Sequence, residues 1–100
     1  MHKVTVLYHH PQDPEAFEEY YESTHIPIAG NIPNVQRFES GKLLATPDGD
    51  EPQYHRIAEL WFDSAEQLQQ SMGSPEGQAA TGDIANFATG GVTTFISEVE

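Results

Sequence analysis

Residues 54–62 read Tyr-His-Arg-Ile-Ala-Glu-Leu-Trp-Phe, the strongest strand signal in the chain. Alternation divides the run into Tyr54, Arg56, Ala58, Leu60 and Phe62 on one face and His55, Ile57, Glu59 and Trp61 on the other. Both sets carry large apolar groups, so both faces are expected to be covered. Before this strand, Val35–Ala45 reads as its hairpin partner, with a possible bulge at Gly41 and a polar loop over Thr46–Pro52. After it, Asp63-Ser64-Ala65-Glu66 is a capping box that opens a helix to about Met72. Ser74 and Pro75 then suit the cap and first position of a further helix reaching about Phe87. Gly90-Gly91 breaks it, and Val92–Val99 is the last strand. At the other end, Lys3–His9 is a strand with Val4, Val6 and Tyr8 on one face and Thr5, Leu7 and His9 on the other. Asp13 caps a helix from Pro14 to Thr24, which Pro27 is expected to end near His25.

The order β-α-β-β-α-β is the α+β, ferredoxin-like plan, with a four-stranded antiparallel sheet. In that plan the helices cover one face and leave the other bare, here with Ile57 and Trp61 on it. A bare apolar face calls for a partner, and two sheets packed face to face in a two-fold homodimer are the economical answer. One hundred residues allow one domain, taken as 1–100. Sixteen Asp and Glu against four Lys and Arg give a net charge of −12, which repels nucleic acid and anionic lipid surfaces alike. No apolar run approaches membrane-span length, so no membrane partner is expected. The absence of cysteine excludes disulfides and thiol catalysis. Met-His-Lys runs straight into strand sequence with no secretory signal, so the expected location is cytoplasmic.

Several phrases then coincide: Asp13-Pro14-Glu15-Ala16-Phe17 with Tyr20-Tyr21, Thr24-His25-Ile26-Pro27-Ile28, Ile32-Pro33-Asn34-Val35 with Arg37-Phe38-Glu39, the strand Tyr54–Phe62, Ser74-Pro75-Glu76-Gly77, and Asp83-Ile84-Ala85-Asn86-Phe87. Together they resemble the EthD family over nearly the whole chain, and Tyr-Tyr…Thr-His-x-Pro is the most specific part. Asn34 stands where a Gly is usual, and Ile28 where Leu is common. The resemblance implies a dimeric α+β barrel. That superfamily holds quinone monooxygenases, muconolactone isomerases, haem-degrading enzymes, dehydratases of phenolic compounds and members without known activity, so the fold does not fix the function.

Two groups of residues could carry chemistry. His25 ends the first helix, where a histidine suits general acid or base work; a helix cap or a satisfied interface histidine is the alternative. His55 and Glu59 are expected to share the open face with Trp61, where an apolar wall would raise a carboxyl toward proton-transfer range; ion pairs to Arg37 or Arg56 are the alternative. One of Tyr20 and Tyr21 must be core, and the other is free to meet a ligand. Tyr8, Trp61, Phe87 and Phe95 could wall an aromatic pocket or simply be core, and Asn86 could orient a carbonyl or cap its helix. The five histidines lack ligand spacing, and no phosphate loop is present, so neither a metal nor another cofactor is expected. The expected function is a cofactor-independent enzyme of isomerase, dehydratase or monooxygenase type acting on a small hydrophobic or aromatic molecule. His25 and Glu59 would be catalytic, and Tyr8, Tyr20, Tyr21, His55, Trp61, Asn86 and Phe87 would bind substrate. The alternative is a non-catalytic binding or accessory protein.

Overall fold

The computed structural model describes residues 1–100. Strand β1 (His2–His9) leads to helix α1 (Pro14–Tyr20), which passes through a π-helical turn (Tyr21–His25) into α2 (Ile26–Ala29). The hairpin β2 (Arg37–Lys42) and β3 (Tyr54–Phe62) follows, then α3 (Ala65–Gly73), α4 (Pro75–Asp83), a 3₁₀ turn (Ile84–Asn86) and β4 (Val92–Glu98). The strands form one antiparallel sheet in the order β2-β3-β1-β4, the ferredoxin-like arrangement. No helix is long and apolar enough to cross a membrane.

The core lies between this sheet and the helices. Val4, Val6 and Tyr8 of β1 and Ala58, Leu60 and Phe62 of β3 meet Phe17, Tyr21, Leu68, Ala80 and Phe87. Burying a large apolar side chain contributes roughly 1.5–3 kcal/mol, so this layer dominates stability. Ile57 and Trp61 pair in register with Leu7 and Lys3 on the opposite, helix-free face. Trp61 is not bare there: the Lys3 and Arg37 cations lie 5.1 and 5.0 Å from its ring centre.

Three local features differ from what the sequence predicts. The bulge is at His55, not Gly41: Tyr8 pairs with Arg56 and His9 with Tyr54, while Gly41 stays in register with Ile57. The extra residue re-phases the strand, so Tyr54 joins the open face, stacking edge-on to His9. The helical path does not end at His25, because the wider π turn before Pro27 relieves the clash of its ring with the preceding turn and lets α2 continue. The α3 cap falls on Ser64, which accepts from the Gln67 N–H, rather than on Asp63. Asn34 holds φ 64°, a left-handed conformation that Gly and Asn tolerate best, which accounts for Asn where a Gly is usual.

Ser74 ends α3 and caps α4 at once, donating to Ser71 O and accepting from the Gly77 N–H. This joint is tight: a Cβ on Gly77 would lie 2.3 Å from Ser71 O and 2.6 Å from Met72 O, both backbone atoms. Gly77→Ala is therefore expected to destabilise by about 1–3 kcal/mol in urea unfolding. Gly41→Ala, where a Cβ meets nothing within 4 Å, is expected to change stability by less than about 1 kcal/mol.

Candidate functional site

Phe17, Tyr21 and His25 follow one another at four-residue intervals. On a straight α-helix that spacing drifts off the buried face. The π turn, closed by the Ile26 N–H bonding to Tyr21 O, holds the drift back, and all three side chains stay buried. His25 is left 5% exposed. From the neighbouring helix α4, the line Gly77, Ala80, Asp83 faces inward, and Asp83 is 8% exposed. The two meet: His25 Nδ1 lies 3.0 Å from Asp83 Oδ2. The other carboxylate oxygen, Oδ1, accepts from the Tyr20 hydroxyl at 2.6 Å and from Asn86 Nδ2 at 3.0 Å.

The electrostatics follow from this network. Burial alone would push the Asp83 carboxyl up, but hydrogen bonds from Tyr20, Asn86 and His25 outweigh it and hold the group below its ordinary value. The bond to Asp83 raises the Tyr20 phenol, with desolvation adding. An ionised carboxylate only accepts, so His25 Nδ1 carries the hydrogen and the lone pair of the neutral ring falls on Nε2. No side-chain hydrogen bond of the chain involves Nε2 or the hydroxyl of Tyr8, and both residues border a cavity. Burial pushes that phenol well above its usual range.

His25 and Tyr8 both line an inner cavity of about 40 Å³, whose other walls include Tyr21, Met72, Ala80 and Thr81. Thr81 donates its hydroxyl to Gly77 O, so its hydroxyl hydrogen is engaged. An outer chamber of about 190 Å³ shares Ala29, Ile32, Phe38 and Leu60 with the inner one and adds Ile26 and Val35. Neither is lined by a charged Lys, Arg, Asp or Glu. An imidazole held at Nδ1 by a buried carboxylate beside an apolar cavity can, in its neutral form, take a proton at Nε2 and hold the resulting imidazolium.

The residues singled out in the sequence fall into three places. His25, Tyr8 and Tyr21 meet at the inner cavity. Tyr20, Asn86 and Phe87 stand behind it, around Asp83 and a shallow groove, with Phe87 packed 4.7 Å from the His25 ring. Glu59 and Trp61 lie across the sheet on the helix-free face, where Lys3 Nζ donates to Glu59 at 2.7 Å. The expected shared face of His55 and Glu59 is corrected: the bulge turns His55 to the helix side. There it donates to Glu18 at 2.8 Å and packs edge-on to Phe17. Arg56 also bonds Glu18, donates to Ser40 at 2.9 Å and lies over the Tyr21 ring. Asp83 was not among the expected site residues. Its signal was a carboxylate on the apolar stripe Gly77, Ala80, Ile84, Phe87, a position that requires a buried partner. No cluster of His, Asp and Glu in the structure has the geometry to hold a metal ion.

The chain matches the EthD domain model over residues 9–91. It is 46% identical over 100 residues to an uncharacterised 11.0 kDa protein of the thcB-thcC intergenic region of Rhodococcus erythropolis, covering all of this chain and 96% of that protein. The crystal structure of an ethyl tert-butyl ether degradation (EthD) family protein from Bacillus halodurans superposes with a TM-score of 0.92 at 33% identity, covering 100% of this chain and 99% of that one. A dimeric ferredoxin-like protein of unknown function from Thermobifida fusca shares the fold with a TM-score of 0.72 at 15% identity, over 98% and 90% of the two chains. By sequence and by fold together, the chain belongs to the EthD family.

Proposed function

We propose that this protein is a cofactor-independent acid–base enzyme acting on a small hydrophobic molecule, with His25 as the proton-transfer group and Asp83 as the residue that orients it. The observation that carries the reading is the free Nε2 of a buried histidine whose Nδ1 is fixed by a buried carboxylate, beside an apolar cavity. Nε2 takes a proton from an acidic C–H or O–H of the substrate, and Asp83 stabilises the imidazolium. The proton returns to another atom of the same molecule in an isomerisation, or to the leaving oxygen in a dehydration. Tyr20 and Asn86 are positioning residues for Asp83. The complete satisfaction of Asp83 favours a second reading, in which the network is a structural staple and the cavity holds a ligand without turnover.

The protein also acts as a homodimer in this reading, through the helix-free face of the sheet. Leu7, Ile57 and Phe95 lie there without a covering layer beside Trp61 and its two cations, and the Thermobifida fusca neighbour is described as dimeric. Glu59 and Trp61 then serve the interface rather than the His25 cavity.

His25→Ala is expected to lower turnover by about 10²–10⁴-fold while far-UV dichroism stays native; turnover unchanged in a folded variant would reject His25 as the proton-transfer group. The Asp83 carboxyl lies below its ordinary 3.8 in the folded state, so its contribution is complete above that pH and is lost as pH falls through the lower native value. Urea midpoints of the wild type are thus expected to drop more steeply between pH 5 and pH 2 than those of Asp83→Asn. Ile57→Asp places a charge on the helix-free face and is expected to yield a monomer by sedimentation at concentrations where the wild type is dimeric.

A further inference from the structure

The two chambers differ in volume, and the difference limits what can sit beside His25. An apolar cavity of roughly 150 Å³ holds one benzene, so the inner cavity of about 40 Å³ takes only the end of a short chain. A six-membered ring does not fit there. The outer chamber of about 190 Å³ is large enough for one, and its walls of Ile26, Ala29, Ile32, Val35, Phe38 and Leu60 offer it no polar side chain. The inner cavity offers two polar atoms without partners, the Tyr8 hydroxyl on a residue 1% exposed and His25 Nε2 on a residue 5% exposed. One donates and the other accepts, so a single hydroxyl between them satisfies both. A carboxylate would arrive with no Lys or Arg in either wall, and any charge on His25 is already countered by Asp83.

We infer that the site takes a neutral two-part molecule: an apolar body in the outer chamber, and a slender alcohol end that reaches between the Tyr8 hydroxyl and His25 Nε2, accepting from the first and donating to the second. The inference rests on the proposed function in taking the His25 cavity as the working site. It adds the shape and charge of the ligand and gives Tyr8 a polar contact beyond its place in the aromatic wall. A hydroxyl attached directly to a ring, as in phenol, cannot make both contacts, because the ring would have to enter the inner cavity.

The test is a titration of ¹⁵N-labelled protein at pH 7 with 2-phenylethanol, phenol and phenylacetate, following the His25 Nε2 resonance. 2-Phenylethanol is expected to shift that resonance with saturation. Phenol and phenylacetate are expected to leave it in place or to bind at least about tenfold more weakly. Tyr8→Phe keeps the ring packing and removes the hydroxyl, and is expected to weaken 2-phenylethanol by about three- to tenfold. Met72→Ala widens the inner cavity and is expected to let phenol shift the His25 signal. If phenol or phenylacetate moves Nε2 in the wild type as readily as 2-phenylethanol, or if Tyr8→Phe binds 2-phenylethanol unchanged, the two-part rule is overturned while the cavity remains the site. If no probe moves Nε2 in the wild type or in Met72→Ala, the rule and the cavity's role fall together.

Discussion

A carboxylate taken out of water must be compensated where it sits, and in this fold that requirement is met around Asp83. Its neutralisation draws one donor from the end of the π turn, His25, one from the helix before it, Tyr20, and one from the 3₁₀ turn after α4, Asn86. The first helical stretch and α4 are therefore fixed to each other by polar geometry as well as by packing. The π turn supplies the remaining constraint, since without its wider winding His25 would leave the face shared by Phe17 and Tyr21. The histidine that results is tethered at one nitrogen and free at the other, beside an apolar recess.

The sheet separates two environments. Its helix-covered face carries Val4, Tyr8, Ala58 and Leu60, which form the floor of the recess. Its free face carries Trp61 between two cations, the Lys3–Glu59 ion pair and the half-exposed Phe95. One layer of strands can thus bound a ligand cavity on one side and present a mixed apolar and charged surface to a second copy on the other. Membership of the EthD family fixes the fold, whereas the chemistry has to be argued from the side chains in the recess.

The element order was legible because β1 alternates clearly, β3 is rich in strand formers, and α1, α3 and α4 each start on a side-chain cap. Asp13 with Pro14 and Ser74 with Pro75 are local signals that tertiary structure did not override. His25 was legible as a candidate from its place before Pro27. What escaped the sequence has a common physical cause: one extra residue changes the phase of everything beside it. At His55 a bulge moved an imidazole from one face of the sheet to the other, and alternation alone cannot locate such a bulge. At Tyr21–His25 a π turn continued a helix that Pro27 was expected to end. Asp83 differs: its place on an apolar stripe signals a buried partner, but that partner lies 58 residues away and local spacing does not name it.

The central claim is that Asp83 fixes the His25 ring in the tautomer whose Nε2 is free. Long-range ¹H–¹⁵N correlation of the imidazole at a pH where the ring is neutral reads this directly. The account predicts a protonated Nδ1 and an unprotonated Nε2 for His25 in the wild type, with that preference lost in Asp83→Asn. A hydrogen on Nε2 in the wild type, or a spectrum that Asp83→Asn leaves unchanged, would contradict it.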